Sequence, residues 1–247
     1  MQEKKILIIK FGGLGDIMLS LNAIYSIRNK FQNSKLILLT EKPYKNFLEK
    51  SKWFDEIIVI KRSLFYFYDL FLLKKKINVS TVDKVFDLQT SKRSSFYLKI
   101  FRQKGIYTNG IGNYAKVKHD NPDRDNMHTF FRQAEQLKLS KINFKKNVNL
   151  KWLYSCKRKT KKKIALIVPG GSKKRLYKRV PLEIFSSIIK FLMANEITPI
   201  LIGSNDDFLV CKKLFLAHFS DKYLPSLQKQ QVYRHNQMPH KAFLDLH

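Results

Sequence analysis

Residues Lys5–Asp16 have the sequence KILIIKFGGLGD, which predicts a buried strand, a glycine turn and the start of a helix. The apolar residues from Ile6 to Ile9 form a continuous run without the alternation of a half-exposed strand. After the glycines, apolar residues recur with the 3.6-residue period of a helix as far as Phe31. A strand buried on both faces and followed by a helix is typical of a parallel sheet.

The glycine turn is a candidate ligand site. Glycines at Gly12, Gly13 and Gly15 let backbone amides approach a ligand, and a helix N-terminus favours a negative group. The turn is neither a dinucleotide fingerprint, since Met18 replaces its third glycine, nor a phosphate-binding P-loop. Asp16 has two interpretations that stay open: a partner of the helix dipole, worth about 0.3–1 kcal/mol, or a general base.

Composition and charge restrict the class of partner. The chain has 247 residues, of which 44% are hydrophobic, so it can bury the core of one or two domains. Its formal net charge of +29 indicates an anionic partner: a nucleic acid, a phosphorylated substrate or the cytoplasmic leaflet of a membrane. We find no zinc-finger spacing and no RNA-binding motif, which favours a lipid phosphate or membrane over nucleic acid.

The chain carries no pattern of a secreted, membrane-spanning or metal-binding protein. No apolar run reaches 18 residues, and the first residues lead directly into a strand, so we expect a cytoplasmic protein without a signal peptide. The two cysteines, Cys156 and Cys211, fit reduced thiols. We therefore expect neither a metal nor a cofactor.

Strands and helices alternate in the first part of the chain, which predicts a doubly wound parallel α/β sheet. The later predicted strands are Lys35–Thr40, Glu56–Ile60, Lys84–Leu88 and Ile106–Thr108, and the later predicted helices are Pro43–Lys50, Leu64–Lys76, Arg93–Phe101 and Met127–Leu139. Gln89 lies in a polar loop directly after the predicted strand Lys84–Leu88.

The strand–glycine–helix pattern returns after a basic segment, residues 141–163, which contains ten Lys or Arg residues and no acidic residue. The second set of elements comprises a strand at Ile164–Val168, a glycine turn at Pro169–Ser172, a helix at Pro181–Met193 and a strand at Thr198–Ile202. We therefore predict two Rossmann-like domains, residues 1–140 and 164–247, joined by a basic linker at 141–163.

The composition changes near the end of the sequence. No glycine follows Gly203, and four of the six histidines lie beyond it. We predict a helix from Asp206 that fades near Ala217, an irregular tail, and hence an incomplete second domain. The segment after Cys211 is expected to contribute little to that domain and to be the first part cut by a protease.

Four stretches of sequence together resemble one family, the ADP-heptose:lipopolysaccharide heptosyltransferases of glycosyltransferase family nine. They are FGGLGD at Phe11–Asp16, VFDLQTSKRS at Val85–Ser94, VPGGSKKRLYKRVP at Val168–Pro181 and PILIGSNDD at Pro199–Asp207. The resemblance implies two Rossmann-like domains of GT-B type, an acceptor domain followed by a partial nucleotide-sugar domain. It also implies a metal-independent, inverting transfer of heptose from ADP-heptose to the lipid A–Kdo inner core.

The resemblance also assigns roles to residues. Asp16 matches the general base and Lys178 a lysine that contacts donor phosphate, while Gly12, Gly13, Gly15 and Gln89 would form the acceptor loop. Gly170, Gly171 and Ser172 would help to cradle the diphosphate. A cytoplasmic protein at the periphery of the inner membrane is implied, with ADP-heptose and an anionic lipid as partners.

The sequence departs from the family at two places. Val180 stands where the family has Trp, and the later D-x-G-P-x-H segment of the family is missing. The second departure raises the alternative of a truncated, inactive chain. Two further alternatives remain open: a transferase for another nucleotide-sugar, and a non-catalytic basic module that binds lipid phosphates or RNA.

Overall fold

The computed structural model describes residues 3–153, 162–171, 177 and 179–230, without the side chains of residue 66 and of residues 220–230. The chain forms two compact units, Met1–Cys156 and Lys157–His247. Each unit has its own sheet and its own hydrophobic core.

The first unit contains a sheet of six parallel strands. The strands are β1 (Lys5–Ile9), β2 (Lys35–Thr40), β3 (Glu56–Val59), β4 (Lys84–Asp87), β5 (Tyr107–Gly110) and β6 (Val117–Lys118). Their spatial order is β3-β2-β1-β4-β5-β6, so the direction of winding reverses between β1 and β4. Ligands of such sheets bind beyond the carboxyl ends of the strands at this reversal. The predicted doubly wound parallel sheet is confirmed.

Six helices cover the two faces of this sheet. They are α1 (Leu14–Met18), α2 (Leu21–Lys30), α3 (Lys42–Glu49), α4 (Tyr66–Lys76), α5 (Lys92–Arg102) and α6 (Thr129–Lys138). The single helix predicted from Asp16 to Phe31 is in fact two, because the chain turns at Ser20, whose hydroxyl donates to the Asp16 carbonyl at 2.8 Å. Strand β6 was not predicted, since two residues are too few to show a period.

The alternating residues of β1 explain its continuous apolar sequence. Ile6 and Ile8 are buried in one core with α2, α3 and α6, whereas Leu7 and Ile9 are buried in the other core with α4 and α5. A strand covered on both faces has no solvent side, so no polar alternation is needed. These two cores hold the ends of β1 and β4 in fixed positions.

Part of the segment that we assigned to the linker packs against the first unit. Ile142 is buried, and Asn22 donates to the carbonyls of Lys145 and Lys146 at 2.9 and 2.7 Å. The ring of Trp152 lies 5.6 Å from that of Trp53, centroid to centroid. The chain therefore remains part of the first unit up to position 153, beyond the boundary at 140 that the sequence suggested.

The described part of the second unit contains two parallel strands, β7 (Ile164–Ile167) and β8 (Thr198–Leu201), and two α-helices, α7 (Leu182–Ala194) and α8 (Phe208–Gln230). The prediction that the last helix fades near Ala217 is wrong, because α8 continues to Gln230. Leu214 and Phe219 are buried in the core of this unit with Ile167 and Ile189. These two α8 residues thus contribute to the second core, contrary to expectation.

None of the described helices is both long enough and apolar enough to cross a membrane.

Candidate functional site

The glycine turn after β1 is shaped by two neighbouring side chains. Gly12 has a φ of +105°, and a Cβ there would lie 3.2 Å from Asp16 Oδ2 and 3.6 Å from Gln89 Oε1. The backbone conformation therefore favours glycine, and any larger residue would also press against the Asp16 carboxylate. The Phe11 amide donates to Gln89 Oε1 at 2.9 Å, which ties the turn to the loop after β4. The structure thus brings together Gly12, Asp16 and Gln89.

Asp16 lies at the solvent-exposed surface of this turn. Its Oδ2 accepts a hydrogen bond of 3.3 Å from the Gly13 amide, as expected of a carboxylate in the first turn of a helix. The side chain remains exposed and can accept a proton from a bound ligand. The geometry is therefore compatible with both interpretations, capping and proton abstraction. Gly15 lies in α1 and has no heavy atom within 4 Å of its missing Cβ.

A buried pair of charged residues, not identified from the sequence, lies at the same ends of β1 and β4. Lys10 is only 4% exposed, and its Nζ donates to the Leu88 carbonyl at 3.4 Å. Burial lowers the pKa of Lys10 to about 8, against the opposing charges of Asp16 and Asp87. Its cation therefore lies in the electrostatic field of two carboxylates at the ends of these strands. The signal in the sequence is the single lysine between the apolar run and Phe11.

Asp87 is the second member of this pair and is fully buried. Its Oδ1 accepts hydrogen bonds of 3.0 Å from the amides of Gln89 and Thr90. Burial raises the pKa of Asp87 to about 6, although these hydrogen bonds and the Lys10 charge act in the opposite direction. Asp87 therefore fixes the loop that carries Gln89.

Helix α6 supports the same loops through two buried glutamines. Gln133 Nε2 donates to the Ser20 hydroxyl at 2.9 Å, and Gln136 Nε2 donates to the Asp87 carbonyl and to Asn109 Oδ1, both at 2.9 Å. Polar side chains in a core need such partners. Sequence analysis missed them because glutamine at core positions of a helix interrupts the apolar pattern without indicating its partners.

An ion pair lies on the other side of the glycine turn. The Arg62 guanidinium pairs with the Glu41 carboxylate through bonds of 2.8 and 3.0 Å, and it lies 5.8 Å from the Phe11 ring centroid. The Gly12 amide is 3.5 Å from Glu41 Oε2. Arg62 thus adds a cation beside the loop, a position that no sequence motif indicated.

The glycine turn of the second unit packs against Asp207, another residue that sequence reasoning did not single out. A Cβ at Gly170 would lie only 2.0 Å from Asp207 Cγ, so no larger residue fits. The Gly171 amide donates to Asp207 Oδ1 at 3.1 Å, and Arg179 donates to the Gly171 carbonyl at 2.6 Å. The Ser204 hydroxyl, which donates to the Asp207 carboxylate, lowers the pKa of that carboxyl group.

The remaining predicted donor residues, Ser172 and Lys178, lie outside the described residues. Within the described part of this loop, the cation is Arg179, whose guanidinium is 3.7 Å from Asp207 Oδ1.

The similarity of this chain to known proteins is found in its structure. No protein-family model matches the sequence, and no curated protein is significantly similar to it. A glycosyl transferase family 9 structure from Veillonella parvula matches with a TM-score of 0.64 and 16% identity over 86% of this chain. The fold is that of the family 9 glycosyltransferases. This confirms the predicted α/β fold class.

Two Escherichia coli structures agree with this assignment. Heptosyltransferase WaaC with ADP-2-deoxy-2-fluoro heptose has a TM-score of 0.62 at 16% identity, over 85% of this chain and 73% of that one. The ADP-heptose lps heptosyltransferase II has a TM-score of 0.59 at 15% identity, over 88% and 70%. The chain spans 66% of the length of the Veillonella protein.

Asp87 predicts an unusual dependence of stability on pH. Its pKa is about 6 in the folded chain and about 3.9 when unfolded, so the folded state holds more protons between these values. The free energy of unfolding should therefore fall as pH rises through this window, by about 2–3 kcal/mol from this residue. Urea unfolding from about pH 4 to pH 7, compared between the wild type and Asp87→Asn, measures the effect.

The wild type must be compared with Asp87→Asn because Glu135 and Asp207 have lowered pKa values. The contribution of these two residues to the free energy of unfolding rises with pH in both proteins. The Asn variant keeps the oxygen that accepts the amides of Gln89 and Thr90. A wild-type-minus-variant difference that stays constant over the whole pH range would contradict the prediction.

Proposed function

We propose that this chain is an inverting glycosyltransferase that transfers heptose from ADP-heptose to the lipid A–Kdo inner core of lipopolysaccharide. The proposal is carried by one observation: an exposed carboxylate, Asp16, lies in a glycine turn at the winding reversal of a sheet with the family 9 fold. The similar WaaC structure contains an ADP-heptose analogue, which supports the choice of donor.

In this proposal Asp16 is the general base. The acceptor hydroxyl oxygen attacks the anomeric carbon as Asp16 takes its proton. The bond from that carbon to the diphosphate oxygen breaks, which releases ADP and leaves the anomeric carbon of the transferred heptose with inverted configuration. The side chain of Asp16 is exposed, so an acceptor hydroxyl can reach its carboxylate. Gln89 and Gly12 hold the turn in shape, so that Asp16 needs no rearrangement to meet the acceptor.

The donor diphosphate is assigned to the glycine turn of the second unit. Cations and backbone amides stabilise the charge that develops on a departing diphosphate. The residues proposed for this role are Gly170, Gly171, Ser172 and Lys178, with Arg179 added as the cation of the described loop. The Gly171 amide donates to the Asp207 carboxylate. A diphosphate that binds this amide must therefore displace the carboxylate or share the amide with it.

Isothermal titration calorimetry with ADP-heptose, ADP, UDP-N-acetylglucosamine and a short RNA tests the donor and distinguishes heptose transfer from transfer of another sugar and from RNA binding. We expect saturable binding of ADP-heptose and of ADP, and none of the uridine nucleotide. Selective binding of the uridine sugar would favour another nucleotide-sugar transferase. RNA binding that weakens steeply with salt, without binding of any nucleotide-sugar, would favour a non-catalytic basic module.

Lys178→Ala should weaken binding of ADP, because one charge-assisted hydrogen bond to a phosphate contributes about 1.5–3 kcal/mol. That corresponds to a loss of affinity of about 10- to 100-fold. Lys163→Ala, which removes an exposed lysine of the same unit beside β7, is the matched control and should bind normally. Equal affinities in the two variants would remove Lys178 from the donor site.

A further inference from the structure

The first unit exposes a continuous group of large apolar side chains at the start of α4. This aromatic patch consists of Leu64, Phe65, Phe67, Tyr68 and Phe71, whose exposed fractions are 89%, 62%, 69%, 50% and 59%. The Phe65 and Phe67 rings stack at 5.6 Å between centroids, and those of Tyr68 and Phe71 at 6.4 Å. Clustered exposure of this kind marks an interaction surface rather than the scattered apolar residues of an ordinary surface.

The orientation of the patch is fixed by the opposite face of α4. Leu73 and the following Ile77 are buried in the core beneath the sheet. Asp69 is fully buried, where it pairs with Arg93 at 2.8 Å and accepts hydrogen bonds from the Tyr97 hydroxyl and, at 2.8 Å, from the Ser63 amide. Rotation of the helix to cover the aromatic rings would break this buried cluster.

The charges around the patch are positive. Lys74 and Lys75 are exposed in the last turn of α4, and Lys61 and Arg62 precede the patch. Asp69 is the only acidic residue from position 61 to position 76, and it is buried. The exposed side chains described in this segment are therefore aromatic, aliphatic or cationic.

We propose that the aromatic patch docks on an anionic lipid bilayer, with its rings at the boundary of the acyl chains and its lysines among the lipid phosphates. A helix lying in the interface with one apolar face and basic flanks binds by buried apolar area and by attraction to anionic lipid. A second copy of the chain is a poor occupant, because it would bring lysines against lysines. RNA would supply phosphates for the lysines, but it has no apolar interior in which the five large side chains of the patch could be buried.

The patch adjoins the candidate acceptor site within the same unit. A shallow cavity of about 350 Å³ is lined by Arg62, Glu41, Leu64 and Arg93, so it links the edge of the patch to the pair beside Gly12. A lipid-anchored acceptor would then present its sugar near Asp16 while its acyl chains stay in the bilayer. This last step rests on the proposed function, whereas docking itself does not require the transfer reaction.

The test is co-sedimentation of the whole chain with vesicles of phosphatidylcholine alone and of phosphatidylcholine with 30% phosphatidylglycerol, about one lipid in three being anionic as in strongly charged leaflets. We expect binding to the anionic vesicles and little to the neutral ones. Phe67→Ser/Phe71→Ser should weaken binding at least about tenfold, because two large apolar side chains lose their burial. Lys74→Gln/Lys75→Gln should weaken it by a similar factor.

Matched controls distinguish binding through the aromatic patch from binding through exposed apolar side chains or positive charges elsewhere on the chain. Phe131→Ser/Phe191→Ser removes two equally exposed rings elsewhere, and Lys30→Gln/Lys50→Gln removes the same charge elsewhere. Both should bind vesicles within about twofold of the wild type. Equal losses in patch and control variants would overturn the inference, as would a patch-dependent dimer in sedimentation velocity without vesicle binding. Vesicle binding by a chain that transfers no sugar would refute the proposed function and leave this inference standing.

Discussion

Asp16→Asn is expected to abolish sugar transfer while leaving the fold and donor binding intact. Asparagine keeps an oxygen that accepts the Gly13 amide, so the helix cap survives. It cannot take a proton, and the loss of a general base lowers the rate by about 10²–10⁴-fold. The measurement is the initial rate of ADP release from ADP-heptose in the presence of a Kdo–lipid A acceptor, together with calorimetric affinity for ADP.

Asp83→Asn is the matched control for this prediction. Asp83 precedes β4 and accepts the Lys5 amide at 2.8 Å, so it lies at the amino ends of the strands, opposite the glycine turn. Its variant should transfer at the wild-type rate. If Asp16→Asn transferred equally fast and lost only stability, Asp16 would be a helix cap and nothing more.

Asp69→Ala should strongly destabilise the first unit. Asp69 is fully buried and is ion-paired with Arg93, and burial raises the pKa of Tyr97, whose hydroxyl donates to the same carboxylate. Removing one partner of a buried ion pair leaves its charge poorly compensated and costs about 3–5 kcal/mol. Both tryptophans, Trp53 and Trp152, belong to the first unit. Their fluorescence during urea unfolding therefore reports on this unit.

Glu49→Ala serves as the control for the effect of burial. Glu49 pairs with Lys45 at 3.5 Å on the exposed surface of α3, so its removal should change the free energy of unfolding by about 0.5 kcal/mol or less. A similar small effect for Asp69→Ala would show that the Asp69 cluster does not fix α4. In that case the orientation of the aromatic patch would also need another cause.

The sequence predicted the sheet well because a parallel sheet leaves a strong local pattern. In β1 every residue from Ile6 to Ile9 is buried. The turn that follows needs glycine at position 12, where φ is +105° and a Cβ would lie 3.2 Å from Asp16 Oδ2. Those features depend on residues next to one another in the chain. The same holds for Asp16, whose neighbours in the turn made it a candidate.

The charged and polar partners of the site could not be predicted in this way. Lys10 and Asp87 are separated by 77 positions and meet only because β1 pairs with β4. Gln133 and Gln136 reach the same loops from a helix that follows two further strands. Such contacts follow from strand order, which the alternation of strands and helices leaves undetermined.

The error about the second unit has a different cause. We expected the helix to fade near Ala217 and the chain after Cys211 to contribute little to the second domain, because glycine disappears and the strand–helix alternation stops. A long helix needs neither feature, and α8 buries Leu214 and Phe219 against the strands and α7. The irregular tail predicted beyond this helix, residues 231–247, lies outside the described residues.

Mass spectrometry of the acceptor shows whether this chain transfers heptose. The whole chain is incubated with ADP-heptose and Kdo–lipid A in anionic vesicles, and the acceptor and the released ADP are both quantified. We predict an acceptor heavier by one heptose and one ADP for each sugar transferred. We predict neither product with Asp16→Asn. An unchanged acceptor in the presence of a folded chain that binds ADP-heptose, or equal transfer by the Asp16→Asn variant, would contradict these predictions.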